Sequence, residues 1–323
     1  MDTDLNEKIL VTGFAGFIGM HLCRSLLNDG YNIFGVDNIN SYYDKKLKFD
    51  RIKFLDGFSN FSYSVLDLTD LNALKRLFKK NKFGRVVNLA AQAGVQYSLI
   101  NPYAYISSNV SGFLNVLECC KIFNIGGLIY ASSSSIYGSN KKIPFSEDDK
   151  VDSPISIYAA TKKSNELMAK VYSHLFGLKT TGLRFFTVYG PWGRPDMAYY
   201  IFTRKILNNE LIEIYDNGKV ERDFTYIDDI VDGIRSAILK NYSFEIFNLG
   251  NSRREKVLDL VKTIERKLGK KAKIIFKPLN PGDVKKTNAD ISKSKKMLGF
   301  NPTTNMDVGI DNFVKWYINY YKI

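Results

Sequence analysis

The segment Val11-Thr12-Gly13-Phe14-Ala15-Gly16-Phe17-Ile18-Gly19 carries three glycines at three-residue intervals. It joins a short apolar run, residues 8–12, to a stretch of helical spacing at 19–28, where Leu22, Leu26 and Leu27 share a face. A strand that ends in glycines and turns straight into a helix lets backbone approach an anion closely, with the helix N-terminus aimed at it. A second apolar run at 32–36 ends in Asp37, 18 residues past Gly19. A carboxylate at that strand end is placed to bond the hydroxyls of an adenosine ribose and to repel a 2′-phosphate. The segment predicts a β-α-β unit around a dinucleotide pyrophosphate, with NAD favoured over NADP.

The alternation continues down the chain. Apolar runs at 61–66, 85–89, 127–131 and 179–184 read as further strands, and 71–81, 103–123 and 157–176 as helices. Strands that alternate with helices predict a parallel sheet covered on both faces, and continuous apolar runs suit strands buried on both sides. After Gly190 the rhythm changes, with Pro191, Gly193 and Pro195 marking a loop. Helices are expected at 199–208, 257–268, 292–298 and 308–320, and strands at 213–215, 244–249 and 272–276. The fold class is α/β: a Rossmann-like, doubly wound parallel sheet with a smaller, interleaved C-terminal substrate domain. The expected division is a nucleotide-binding domain at 1–185, joined by later segments near 224–250, and a substrate domain at 186–323.

Composition narrows the class. Of 323 residues, 45% are hydrophobic and 24% charged, which excludes disordered and collagen-like chains. The 46 basic against 33 acidic residues give a formal charge of +13, but the lysines are scattered and form no basic block interleaved with aromatics. That pattern reads as a solvated surface, with no nucleic-acid partner expected. No run of 18 apolar residues exists, and residues 1–8 lack the apolar core of a signal peptide, so no membrane span or secretion is expected. Cys23, Cys119 and Cys120, with His21 and His174, make neither a disulfide framework nor a metal set, and fit a reducing cytoplasm.

Two further segments carry chemistry. Tyr158-Ala159-Ala160-Thr161-Lys162 places a phenol and an ammonium four residues apart, on one face of a helix. A tyrosine normally titrates near 10, and adjacent positive charge favours its phenolate, which makes Tyr158 a candidate acid–base group. The run Tyr130-Ala131-Ser132-Ser133-Ser134-Ser135-Ile136-Tyr137-Gly138 puts hydroxyls at the C-terminal edge of a parallel strand, where ligands of this architecture bind.

These motifs together resemble the extended short-chain dehydrogenase/reductase family, and within it the nucleotide-sugar epimerases, most of all the UDP-glucuronate 4-epimerases. The resemblance spans nearly the whole chain: VTGFAGFIG, VDNIN, NLAAQAGV, ASSSSIYG, YAATK, LRFFTVYGPWGRPDMA, ERDFTYIDD, NLG and PGDV. It implies Ser133, Tyr158 and Lys162 as the catalytic set, with Ser133 bonding the reacting hydroxyl or ketone. It implies NAD held by Gly13, Gly16, Phe17, Ile18, Gly19, Asp37, Asn38, Asn40, Asp67, Leu68, Leu89, Ala90, Ala91 and Ser132, with Tyr158, Lys162, Phe185 and Val188 beside the nicotinamide. It implies Ser133, Ser134, Tyr158, Thr187 and Arg194 around the sugar, Arg222 on the UDP phosphates and Asp283 on the uridine ribose. The helices expected at 103–123 and 157–176 match those that pair copies of such enzymes into dimers, so a homodimer is expected.

The implied reaction is 4-epimerisation of a UDP-sugar through a transient 4-keto form, with UDP-glucuronate the first substrate expected. Dehydratases of the family place an Asp-Glu pair after the catalytic hydroxyl, where Ser134 and Ser135 stand here. The family's AAQAGVRYS reads here with Gln96 in place of the arginine, a neutral amide for a cation near the sugar. That departure leaves UDP-N-acetylglucosamine, its uronate or another UDP-hexose as alternatives. A non-catalytic NAD sensor or scaffold is the remaining alternative, against which Tyr158 and Lys162 are both present.

Overall fold

The computed structural model describes residues 7–279 and 284–323. The chain opens with β1 (Lys8–Thr12), α1 (Phe17–Asn28), β2 (Asn32–Asp37), α2 (Lys45–Leu55), β3 (Phe61–Val65), α3 (Leu71–Asn81) and β4 (Arg85–Asn88). Two short helices follow, α4 (Val95–Ile100) and α5 (Pro102–Tyr105), then a π-helical turn (Ile106–Ser111) and α6 (Gly112–Ile122). Next come β5 (Leu128–Ser133), a 3₁₀ turn (Ser134–Tyr137), α7 (Ile157–Phe176), β6 (Thr180–Phe185) and β7 (Thr187–Tyr189). The remainder is α8 (Ala198–Leu207), β8 (Leu211–Tyr215), β9 (Glu221–Arg222), β10 (Phe224–Tyr226), α9 (Ile227–Lys240), β11 (Phe244–Leu249) and β12 (Glu255–Lys256). It ends with α10 (Val257–Leu268), β13 (Lys273–Lys277), α11 (Ser292–Leu298) and α12 (Met306–Tyr321).

Seven strands form one sheet in the order β3-β2-β1-β4-β5-β6-β11, and every neighbouring pair is parallel. The order reverses direction at β1 and β4, so their C-terminal ends open a crevice where this Rossmann-like, doubly wound architecture binds ligands. Strands β1, β4, β5 and β6 are buried almost throughout, which accounts for their unbroken apolar runs. Between β6 and β11, and again after β11, the chain leaves this sheet. It makes parallel pairs β7–β10 and β8–β13 and the antiparallel pair β9–β12; α8 and α12 pack through an aromatic cluster around Phe313 and Trp316, and α10 packs against both. No helix among the described residues is long and apolar enough to cross a membrane.

Helix α7 spans the expected 157–176 because both ends are capped: the Ser156 hydroxyl accepts from the Ala159 N–H, and Gly177 takes a left-handed conformation at φ 66°. The helix expected at 103–123 is instead broken. Its middle forms a π-helical turn, where the Asn109 carbonyl accepts from the Asn165 side chain at 2.6 Å instead of closing an ordinary turn. The Asn109 amide also bonds both the N–H and the carbonyl of Gln92 and the Thr161 hydroxyl. The irregular turn thus ties the end of β4 to α7, as such turns often do at functional sites. Helices α2, α4 and α9 have no counterpart among the expected elements. The α2 segment reads KKLKFDRIKFL, and its buried positions Leu47, Ile52 and Leu55 are masked by lysines and an arginine that is itself buried.

Candidate functional site

The glycine loop is built by contacts that leave no room for side chains. Gly13 has φ +74°, and a Cβ there would lie 2.7 Å from the Ala90 N. At Gly19 an added Cβ would lie 2.1 Å from the Gly13 carbonyl oxygen. The loop therefore folds onto itself and onto the end of β4, leaving the α1 N-terminus uncovered by any side-chain cap. A backbone cradle at an uncapped helix start is what a pyrophosphate requires.

This cradle opens into a cleft of about 550 Å³. Gly13, Gly16, Phe17, Ile18, Gly19, Asp37, Asn38, Asn40, Asp67 and Leu68 line one end. Leu89, Ala90, Ala91, Ser132, Ser133, Ser134, Tyr158, Lys162, Phe185, Thr187, Val188 and Arg194 line the rest. Arg222 is not among the lining residues. It sits on β9, where its guanidinium donates to the Glu221 and Lys285 carbonyls. Asp283 lies outside the described residues.

At the adenosine end, Asp37 accepts from the Ile39 N–H at 2.8 Å and faces the Lys48 ammonium at 3.7 Å. Lys48 also donates to the Asn40 side chain at 3.1 Å. Sequence reasoning passed over this lysine, and it changes the electrostatics. Because the carboxylate is compensated, a preference for a free ribose hydroxyl rests on Asp37 as an acceptor more than on bare repulsion of a phosphate. Asn38 donates to Asp67 at 2.8 Å, which locks the β2 and β3 strand ends together.

At the other end, Tyr158 and Ser133 both line the cleft, and the Ser133 hydroxyl donates to the Ser135 hydroxyl at 3.1 Å. Burial pushes the Tyr158 phenol above its usual value, while the Ser133 hydroxyl and the Arg194 guanidinium pull it back. Lys162 donates to the Ala131 carbonyl at 2.8 Å, and burial lowers its ammonium to about 8. Arg194, which the sequence assigned only to the sugar, is thus also a cation that acts on Tyr158. The Ser133 oxygen accepts from the Ser135 N–H at 3.1 Å, so the strand end is self-braced. Below it, Glu166 accepts from the Ser132 hydroxyl and from two nitrogens of the buried Arg184 at 2.9 and 3.0 Å. The carboxylates lining the cleft, among the described residues, are Asp37, Asp67 and Asp196. None of the three directly follows Ser133, so the acid–base pair needed for water loss is missing.

Further side chains brace the sugar end of the cleft. Asp196 accepts from Arg194 at 3.0 and 2.5 Å and from the Tyr42 hydroxyl at 3.0 Å. Arg51, fully buried, donates to the Ala15, Trp192 and Gly193 carbonyls, joining the glycine loop to the segment that carries Arg194. The one signal for Arg51 was its helical spacing from Leu47 and Leu55; for Asp196 it was the two-residue step from Arg194.

A model of the NAD dependent epimerase/dehydratase family matches residues 9–250. UDP-glucuronate 4-epimerase 4 of Arabidopsis thaliana is 48% identical over 339 residues, covering 99% of this chain and 77% of that protein. The structure of the Bacillus cereus UDP-glucuronic acid 4-epimerase, solved with UDP-glucuronic acid and NAD, superposes with a TM-score of 0.91 at 36% identity, over 97% of this chain and 100% of that one. The Thermotoga maritima UDP-glucose 4-epimerase, solved with UDP-glucose, gives a TM-score of 0.89 at 31% identity, over 97% of this chain and 99% of that one. With its glycine cradle, serine-lined strand end and Tyr158–Lys162 helix in one cleft, the chain belongs to the NAD dependent epimerase/dehydratase family.

Proposed function

We propose that this protein is an NAD-dependent 4-epimerase of a UDP-sugar, interconverting UDP-glucuronate and UDP-galacturonate. The observation that carries the reading is that Tyr158 and Ser133 line the same cleft as the dinucleotide cradle, without the carboxylate pair that water loss needs. Residues 1–185, with the returning segments near 224–250, are assigned to the cofactor, and the rest to the nucleotide sugar. Gly13, Gly16 and Gly19 hold the pyrophosphate of NAD, and Asp37 with Lys48 holds its adenosine ribose. When bound, NAD supplies a reversible hydride acceptor for the sugar C4′ position.

Tyr158 takes the proton of the 4′-hydroxyl and later returns it. Ser133 bonds the same oxygen and holds it in line with the phenol. Lys162 and Arg194 keep positive charge near the phenolate, and Ser132 and Glu166 keep the strand end fixed. Arg222 and Asp283 are assigned to the UDP portion, which stays bound while the sugar turns. Arg194, with Thr187 and Ser134, meets the 6′-carboxylate through charge-assisted and neutral hydrogen bonds.

A neutral UDP-hexose is the second reading, favoured by Gln96 and by the two-point pairing of Arg194 with Asp196. A panel of UDP-glucuronate, UDP-glucose, UDP-N-acetylglucosamine and its uronate, with products resolved by NMR, decides between them. Faster turnover of a neutral sugar than of either uronate overturns the carboxylate assignment. Turnover of none overturns the epimerase reading and leaves an NAD-binding scaffold.

We further assign the protein to a homodimer through α7 and the segment before α6. Ile100, Tyr103, Leu167, Val171 and Leu175 are all exposed there and form an apolar face. A cytoplasmic setting suits its three unbridged, buried cysteines.

A further inference from the structure

We propose that Asp196 is a specificity-determining counter-ion: it holds Arg194 in a neutral pair, so that a negatively charged sugar is bound weakly enough to turn over inside the site. The inference rests on the carboxylated-sugar reading above.

The geometry is a clasp across the sugar end of the cleft. The Asp196 carboxylate takes the Arg194 Nε and Nη2 in a two-point fork at 3.0 and 2.5 Å. The Tyr42 hydroxyl donates to the same carboxylate at 3.0 Å, and its ring lies 6.0 Å from the guanidinium carbon. Gly94, at φ +104°, packs against all three side chains, and a Cβ there would lie 3.0 Å from the Tyr42 oxygen. The Arg194 segment is itself anchored, because Arg51 bonds the Trp192 and Gly193 carbonyls and His21 bonds that of Pro191. The clasp therefore joins parts of the chain that other contacts already hold in place.

A guanidinium has five N–H donors, and this fork occupies one edge of it. A sugar carboxylate meets only the remaining donors, beside a carboxylate of its own sign. Binding a hexuronate thus adds one uncompensated negative charge, whereas binding a neutral hexose adds none. For an ordinary binding site that is a defect. An epimerase must release one face of the keto sugar and present the other, so a carboxylate gripped by a free arginine would hold the sugar in a single orientation. Binding that is equal in ground and transition states gains nothing at saturation, and binding that opposes rotation costs rate.

Removing the charge tests this. Asp196→Asn frees the Arg194 fork and should lower KM for UDP-glucuronate by roughly three- to tenfold while lowering kcat, since a charge-assisted hydrogen bond exceeds a neutral one. KM for UDP-glucose, or the binding constant if it is not turned over, should stay the same or rise. Asp196→Glu, which keeps the charge, should restore the wild-type ratio of uronate to neutral sugar. A merely structural role would raise KM for both sugars together and would overturn the proposal. If Asp196→Asn does not fold, calorimetry on the wild-type protein decides: affinities for UDP-glucuronate and UDP-glucose should differ by less than about tenfold, and a preference above a hundredfold overturns it. Epimerisation of uronate with an unchanged ratio in Asp196→Asn rejects the counter-ion alone. Failure to epimerise any uronate rejects the reading beneath it.

Discussion

On the cofactor side of the cleft, Gly13, Gly16 and Gly19 present backbone to the ligand, and the neighbouring Leu89, Ala90 and Ala91 are small or apolar. On the sugar side, Arg194 and Tyr42 are both tied to Asp196, and buried charges behind the cleft hold backbone in place: Arg51 bonds three carbonyls and Asp223 bonds loop N–H groups. Around the pyrophosphate the first wall depends on the absence of side chains, so the glycine loop there is legible in local sequence. The second depends on pairings between segments far apart in the chain, so its charge balance can change without altering the fold. A chain built this way can keep its dinucleotide chemistry while its choice of sugar is retuned by single residues.

Tyr158 stands where the two walls meet, and its replacement should have the largest effect. Tyr158→Phe keeps the ring and removes the transferable proton. Turnover should fall about 10²–10⁴-fold, the usual contribution of a general acid–base group, with UDP-sugar binding preserved by calorimetry. A loss below tenfold would shift the proton transfer to another group.

Next comes the backbone wall alone. Gly19→Ala would place its Cβ 2.1 Å from the Gly13 oxygen and 2.8 Å from the Phe14 Cα, both backbone atoms that cannot step aside cheaply. NAD affinity should drop by roughly 10- to 100-fold, at 1.4 kcal/mol per decade. UDP-sugar affinity should change far less. Equal losses for both ligands would show that the walls are not independent.

Both contrasts explain what was legible beforehand. The sheet, the glycine cradle and Tyr158–Lys162 are written in spacings of a few residues, which a pattern search reads directly. Helix α2 was missed because Lys48 and Arg51 occupy buried positions where the helical pattern expects apolar residues. Lys48 is held there by Asp37 and Asn40, and Arg51 by carbonyls. The Tyr42–Asp196 bond joins residues 154 apart, and the Arg51–Trp192 bond residues 141 apart. No local period records such contacts. The π-helical turn went unread for the same reason, since the Asn165 side chain that captures the Asn109 carbonyl lies on α7.

The smallest effect concerns how the sugar wall is anchored, and here two physical terms oppose each other. Asp223 is fully buried next to Arg222, and its oxygens accept from the N–H groups of Asn251, Ser252 and Ala289 and from the Thr225 hydroxyl. Those hydrogen bonds favour the ionised form. Burial disfavours it and is the larger cause, so the carboxyl is raised from 3.8 to about 6. Between those pH values the folded protein binds more protons at this site than the unfolded chain. Its contribution is therefore most favourable below about pH 4, falls as pH rises through about 6, and is level above that. At 1.36 kcal/mol per unit the upper bound is about 3 kcal/mol, and relaxation around the charge should leave about 1–2 kcal/mol. Asp223→Asn does not titrate, but its amide nitrogen faces N–H donors and orphans some of them, so the variant should be less stable at every pH. The deficit should be larger at pH 5 than at pH 8, because only the wild-type protein loses stability across that interval. Thermal denaturation of both proteins at the two pH values measures it. A deficit that is the same at pH 5 and pH 8 would mean that the hydrogen bonds outweigh burial, that Asp223 is already ionised below pH 5 in the folded protein, and that this anchor carries a charge across the whole interval.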